Sequence, residues 1–188
     1  MGLFAKKVTL EDFVSTVVRT AFEYPSDKNI KKVDADNLLS NKEVSRLKEC
    51  IPSFIIAVNS MLIMLAAEQG VIKRFKGDSN YEVSKTVGYA LAVTTGGYLE
   101  YKGSSKQHAA DISEAICSKA FEYLEIAENK LGDNSKIDDI FFEFCTHFRS
   151  QVLEKMTTDE HDKAFVVFDF AKQLYRNIRT GFGSLKIE

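Results

Sequence analysis

Tryptophan is absent from this chain of 188 residues, and its 2 prolines and 10 glycines exclude a collagen-like or proline-rich architecture. Cysteine is also sparse: Cys50, Cys117 and Cys145 lie far apart and form no C-x-x-C pair. That spacing fits neither a disulfide framework nor a zinc knuckle. The first residues show no apolar stretch of the kind that a signal peptide requires. We therefore expect a cytoplasmic protein with three reduced thiols.

An excess of one charge is missing too. Lys+Arg 25 against Asp+Glu 27 leave a formal net charge of −2, which provides no general attraction for nucleic acid. A basic row on the last predicted helix, Lys172, Arg176 and Arg179, lies where the helix dipole itself favours positive charge. We expect no nucleic-acid partner.

The common patterns of catalytic and metal centres do not occur. No Glu is followed three residues later by His, and H-E-x-x-H, P-loop and G-x-G-x-x-G patterns are lacking. We expect no metal and no cofactor. Glu143 and His147 lie four residues apart and can meet on one helix face, which suits either an acid–base pair or a surface ion pair. The other histidines, His108 and His161, lie beside carboxylates near helix starts.

A series of helix starts is the strongest positive feature. Six Ser or Thr residues are followed three positions later by Asp, Glu or Gln, a pattern that satisfies free amides at a helix N-terminus. These pairs are Thr9–Asp12, Ser40–Glu43, Ser79–Glu82, Ser104–Gln107, Ser135–Asp138 and Thr157–Glu160. Residues that end helices alternate with them, namely Pro25, Gly77, Gly103, Gly132 and Gly181. The alternation predicts consecutive helices.

Apolar residues recur every three or four positions between these starts and stops. The two patterns together predict helices at 10–24, 41–50, 52–75, 80–102, 105–131, 136–155 and 158–180. We therefore predict an all-α fold, a single-domain bundle of six or seven helices over residues 1–188. A polar connector is expected at 25–39.

The centre of the bundle is expected to contain a segment without charges. No charged residue occurs from Cys50 to Ala67, and a helix that is apolar on all sides lies in a membrane or in the middle of a bundle. Because Pro52 and Asn59 interrupt the segment and the other helices are amphipathic, we favour the bundle and expect no membrane span. We predict a buried central helical hairpin formed by 52–67 and 80–102.

The second helix of that hairpin, 80–102, has an alternative interpretation as strands. Residues 86–102 contain alternating apolar residues around a Thr-Thr-Gly-Gly turn, a pattern that also predicts a β-hairpin and hence an α+β fold. The helix start at Ser79 and the stop at Gly103 favour the helix. In the helix, Gly88, Ala92 and Gly96 form a stripe of small residues. We expect this stripe to receive 52–67 at close range.

Tyrosines beside that stripe suggest a ligand site. Tyr89, Tyr98 and Tyr101 follow the small residues along the predicted helix, and aromatic rings beside a groove can line a pocket. A small apolar or amphipathic ligand, bound by these tyrosines together with Gly88, Ala92 and Gly96, is therefore one hypothesis for the function.

Phenylalanines on more than one face of the last two helices suggest a different function. Phe142, Phe165 and Phe170 lie off the predicted apolar stripes, and aromatic residues outside a core are typical of protein interfaces. Our first hypothesis is thus a non-enzymatic cytoplasmic interaction protein that binds a protein partner or a second copy of itself. A ligand-binding bundle is the alternative, and a helical enzyme with a histidine–carboxylate site is the third hypothesis.

Overall fold

The computed structural model describes residues 6–132, 137–153 and 161–188, and helices dominate these ranges. Seven helices occur there: α1 Leu10–Glu23, α2 Asp27–Val33, α3 Asn41–Glu68, α4 Asn80–Tyr101, α5 Lys106–Gly132, α6 Ile137–Val152 and α7 His161–Gly183. A single 3₁₀ turn, Lys73–Phe75, follows α3. The predicted all-α bundle of six or seven helices is confirmed.

Side-chain caps begin three of the helices where the sequence predicts them. Thr9 accepts a hydrogen bond from the amide of Asp12 at 3.1 Å. Ser40 and Ser79 each form a reciprocal capping box with the Glu three residues later. The predicted start at Ser104 is wrong by one residue, because the Oγ of Ser105 accepts from the amide of His108 at 3.3 Å. The predicted starts at Ser135 and Thr157 lie outside the described residues.

Helix α3 runs through the middle of the bundle and packs against α1, α4, α5, α6 and α7. The prediction of two separate helices, 41–50 and 52–75, is wrong because Pro52 lies inside one continuous helix. The helix ends at Glu68, since Gly70 adopts φ +67 and the amide of Val71 bonds to the carbonyl of Ala66 at 2.8 Å. Such a left-handed glycine after the last turn is a common helix stop.

The apolar face of α3 is buried in protein. Among the described residues, α3 is the one helix that is long and apolar enough to cross a bilayer. However, 89% of its most apolar 18-residue stretch is buried inside the bundle. Its polar residues satisfy themselves within the helix: Asn59 donates to the carbonyl of Ile55 at 2.8 Å, and Ser60 to that of Ile56 at 2.9 Å. These properties are those of the core helix of a soluble protein.

Two parts of the chain contain elements that the sequence did not predict. The connector at 25–39 includes α2, whose Ile30 is buried in the core. Strands β1 Lys6–Val8 and β2 Leu185–Ile187 form a two-stranded parallel sheet in which Lys6 pairs with Leu185. The alternative β-hairpin at 86–102 is wrong, because that segment is α4 up to Tyr101.

Candidate functional site

Helix α4 buries one face and exposes another. Val83, Val87, Leu91 and Leu99, all four residues or multiples of four apart, are buried. Val87 and Leu91 approach α3 across a cavity of about 20 Å³, which holds at most one water molecule. The predicted contact between 52–67 and 80–102 therefore exists, but it is closely packed and leaves no room for a ligand there.

An open groove of about 640 Å³ lies between the exposed face of α4 and the adjoining face of α5. We call it the α4–α5 groove. Its lining is predominantly apolar or small. Helix α4 contributes Tyr89, Ala92, Val93, Gly96, Gly97 and Glu100, and α5 contributes Lys106, Ala110, Ser113, Glu114, Cys117, Ser118 and Phe121. The predicted ligand residues Tyr89, Ala92 and Gly96 thus lie together on one groove.

The stripe of small residues lies mainly against α5. Gly88 alone also borders the small cavity beside 52–67, so the prediction that the whole stripe receives 52–67 is wrong. A Cβ atom added at Gly88 would lie 3.2 Å from the Cζ of Phe121, and Ser113 Oγ donates to the carbonyl of Ala92 at 2.9 Å. A Cβ atom added at Gly96 would meet nothing within 4 Å. Gly88 therefore permits a close approach between α4 and α5, whereas Gly96 forms the open floor of the groove.

Exposed apolar side chains border this floor. The exposed fractions of Tyr89, Val93 and Phe121 are 74%, 56% and 46%. Large apolar groups gathered around a depression mark sites where a soluble protein binds something else. Val93 and Phe121 were not among the predicted site residues. Phe121 lies off the apolar stripe of α5, so the criterion that selected Phe142 and Phe165 could have found it.

Two of the three predicted tyrosines do not reach the groove. Tyr98 is half-buried and stacks on Phe22 of α1, with 5.4 Å between the ring centroids. Tyr101 is exposed at the end of α4, with Lys102 Nζ 6.0 Å from its ring centroid. The prediction that Tyr98 and Tyr101 line the site is wrong, because the helix turns them toward α1 and toward solvent.

Alanine at Gly96 is expected to stabilise the fold. The position is helical and has room for a Cβ atom, so Gly96→Ala should raise the free energy of unfolding by about 0.5–1 kcal/mol. The gain from Gly88→Ala should be smaller, because the ring of Phe121 must move. Urea denaturation followed by circular dichroism measures both. Gly103→Ala is the control that should destabilise, since Gly103 adopts φ +99, and equal effects at all three sites would contradict this account.

The three predicted interface phenylalanines divide into two groups. Phe142 and Phe165 are exposed by 59% and 70%, and Phe142 packs edge-on against Phe168 with ring centroids 5.3 Å apart. Phe170 is only 6% exposed and lies between Tyr24 and Phe148 in the core. The prediction that Phe170 binds a partner is therefore wrong, whereas Phe142 and Phe165 remain available at the surface.

The basic row of α7 borders a second groove, between α6 and α7. Lys172, Arg176 and Arg179 line a space of about 600 Å³ with Phe142 and Phe168. Arg179 is engaged within the protein, since it donates to Asp138 at 3.0 Å and to the hydroxyl of Tyr175 at 2.9 Å. Part of the positive charge of this row is thus balanced locally.

The histidines do not come together. His108 and His161 are exposed in the first turns of α5 and α7. His147 Nε2 lies 3.2 Å from Glu122 of α5, and not against Glu143. The same Nε2 lies 3.0 Å from the amide nitrogen of Gln151, so it donates to Glu122 in one tautomer and accepts from Gln151 in the other. Glu143 instead pairs with Lys130 at 3.3 Å. Both carboxylates thus connect α5 to α6.

Glutamine and tyrosine complete the contact between α5 and α6. Tyr123 donates its hydroxyl to Gln151 at 2.9 Å, and Gln151 donates to Glu122 at 3.1 Å. Burial raises the pKa of Tyr123 well above its usual value. A phenol that keeps its proton and a histidine held by a carboxylate form a fixed polar connection between two helices.

The three cysteine thiols are buried, and their burial makes them weaker acids. Burial raises the pKa of Cys50 to about 11 and that of Cys145 to about 12, and it also raises the pKa of Cys117. All three thiols are free. Within the described ranges, no group of three or more His, Cys, Asp or Glu side chains is placed to hold a metal ion.

Known proteins offer no guide to the groove. No family model, no curated protein and no solved structure matches this chain.

Proposed function

We propose that this chain is a non-enzymatic cytoplasmic interaction protein that binds a helix of a protein partner in the α4–α5 groove. The proposal depends on one observation: Tyr89, Val93 and Phe121 form an exposed apolar border around a floor of small residues. A groove between two helices with such a floor accepts the apolar face of a third helix, which is a recurrent mode of peptide recognition. The aromatic residues on its border are of the type that dominates binding energy in interfaces.

A small apolar ligand is the second candidate for the same groove. Its support is the volume of about 640 Å³, which falls within the range of about 300–1,000 Å³ for ligand pockets. Such pockets usually enclose most of the ligand, however, and here the walls themselves face solvent. A helix, which needs contact along one side only, fits an open groove better.

A histidine–carboxylate enzyme has the least support. Of the described histidines, His147 alone is paired with a carboxylate, and that pair joins α5 to α6. His108 and His161 are exposed on other parts of the bundle. We therefore retain the enzyme only as a third hypothesis.

Photocrosslinking in cells that express the full chain tests the proposal. The full chain is prepared with p-benzoylphenylalanine replacing Val93, or in a second sample replacing Phe165, which is also exposed but lies on α7. We expect a discrete adduct of protein mass from position 93 that disappears when Gly96→Leu fills the floor of the groove. Gly181→Leu is the matched control, since Gly181 is also helical with open space around it, and it should leave the adduct unchanged.

Three outcomes would contradict the proposal. Adducts from position 165 alone would place the interface beside α2 and α7, whose residues surround Phe165. An adduct of small-molecule mass at position 93 would favour the ligand. An adduct at position 93 that survives Gly96→Leu would show that the groove itself is not used.

A further inference from the structure

Six residues of α4, which follow the groove and extend one turn beyond it to Lys85, have a spacing that is the same in both directions of the chain. Lys85, Tyr89, the pair Ala92–Val93, Gly96 and Glu100 are separated by four, three, three and four residues. At about 100° per residue they lie within roughly 100° of arc on the helix. Lys85, Tyr89, Val93 and Glu100 are exposed, and Ala92 and Gly96 are half-buried. We call these six residues the α4 seam.

We propose that the partner helix in the α4–α5 groove is α4 of a second copy of this chain, packed antiparallel about a two-fold axis between Ala92 and Val93. The inference rests on the proposed function and names its partner. The axis pairs Lys85 with Glu100 of the second copy, and Tyr89 with Gly96 of the second copy. Since such an interface is self-complementary, each pair occurs twice.

Shape supports this pairing. The ring of Tyr89 is a large exposed group, and the floor at Gly96 and Gly97 is open, because a Cβ atom added at either position would meet nothing within 4 Å. In the antiparallel arrangement each ring lies over the glycines of the other copy. Val93 lies beside the axis, where two copies cover each other. The dimer thus buries the seam residues that a single copy leaves in water.

Charge selects the direction of the helices. Lys85 and Glu100 are exposed, and neither forms an ion pair with any residue in the described part of the chain. An antiparallel pair brings opposite charges together at both ends of the seam. A parallel pair would bring Lys85 toward Lys85 and Glu100 toward Glu100, and like charges oppose association. These pairs determine orientation more than affinity, because exposed ion pairs contribute little energy.

Light scattering of the full chain over a wide range of concentration tests the inference. We expect a dimer of twice the 21.2 kDa chain mass. Gly96→Leu should abolish it, and the matched control Gly181→Leu should not. Lys85→Glu and Glu100→Lys alone should each weaken the dimer about tenfold, since each replaces two attractive pairs by two repulsive pairs. The double variant Lys85→Glu/Glu100→Lys should restore the original affinity.

Disulfide trapping measures the orientation directly. Val93→Cys should form an intermolecular disulfide under mild oxidation, because the two side chains lie beside the axis. The double variant Lys85→Cys/Glu100→Cys should also crosslink. Lys85→Cys alone should not, since the axis places its two copies about 22 Å apart along the helix.

Several results would overturn the inference. One is a monomer at all concentrations, a second is a dimer insensitive to Gly96→Leu, and a third is a double charge variant no tighter than the single ones. If the chain is monomeric while the photocrosslinker at position 93 captures a different protein through the groove, the second copy is excluded and the proposed function stands. If filling the groove changes neither measurement, both fail.

Discussion

Phe148→Ala should lower the free energy of unfolding by about 3–5 kcal/mol, which is the usual cost of removing a buried phenylalanine. Phe148 is completely buried on α6. Its ring meets Phe54 of α3 edge-on with centroids 5.0 Å apart, and Phe170 of α7 at 6.0 Å. The truncation therefore removes contacts to two other helices at once and leaves a cavity at the point where three helices meet.

Urea denaturation followed by circular dichroism measures this loss. Phe165→Ala is the matched control, because Phe165 is 70% exposed on α7, and we expect a change within about 0.5 kcal/mol there. Similar losses for the two variants would mean that Phe148 does not lie in the core that the structure describes.

The thiols of Cys50 and Cys145 should react with iodoacetamide much more slowly in the folded protein than in urea. Thiolate is the reacting species, and burial raises the pKa of these groups from 9.0 to about 11 and about 12. At pH 8 the thiolate fraction is then about 100-fold lower for Cys50 and about 1,000-fold lower for Cys145. Mass spectrometry of the alkylated protein measures the rates. Folded-state rates close to those in urea would contradict the described burial.

The same shifts predict alkaline destabilisation. A group with a raised pKa in the folded state contributes its full stability below the unfolded pKa and loses it as the pH rises toward the folded pKa. Stability should therefore hold below pH 9.0 and decline between there and about pH 11 for Cys50, or about 12 for Cys145. In the variant Cys145→Ala, the free energy of unfolding should fall less between pH 7 and alkaline pH than it does in the unchanged protein. Stability is best measured between pH 9 and 10. Tyr123, whose pKa is also raised from 10.0, contributes to the decline only at higher pH.

The depressions that contain exposed aromatic residues differ in how well they suit a helix. The groove between α6 and α7, which contains Phe142, lies beside cations of α7, one of which is already bound to Asp138. Phe165 lines a different depression, beside α2. The α4–α5 groove has a concave floor and unpaired charges at the two ends of the seam. The groove between α6 and α7 is a depression of similar size, about 600 Å³, so the distinguishing feature of the α4–α5 groove is the register that its unpaired charges of opposite sign define.

Local chemistry alone was sufficient to place the starts of α1, α3 and α4. The caps at Thr9, Ser40 and Ser79 depend on residues within one turn of each other, so the sequence contains the whole interaction. The failure at Pro52 has the opposite cause. Its side chain is buried among the other residues of α3, and tertiary packing around that helix outweighs the backbone hydrogen bond that proline removes.

The candidate site was only half predictable for a related reason. The pattern of Gly88, Ala92 and Gly96 was visible in the sequence, but a helix has several faces, and its partner on each is decided by the neighbours that pack there. Val87 and Leu91 pack toward α3, and the small residues Gly88 and Ala92 lie against α5. The same choice placed Tyr98 against Phe22, so the tyrosine pocket did not form.

The all-α class, the order of the long helices and the apolar central segment were thus determined by the sequence itself, because caps and apolar periodicity act over a few residues. The tertiary structure alone decided that Phe170 is buried while Phe142 and Phe165 are exposed. Phe165 and Phe170 lie about 140° apart around α7, and only the packing of that helix determines which of the two rings meets Tyr24 and Phe148. The tertiary structure also decided that Lys6–Val8 pairs with Leu185–Ile187. Strands so short carry no periodicity of their own and form only when the bundle brings the two ends of the described chain together.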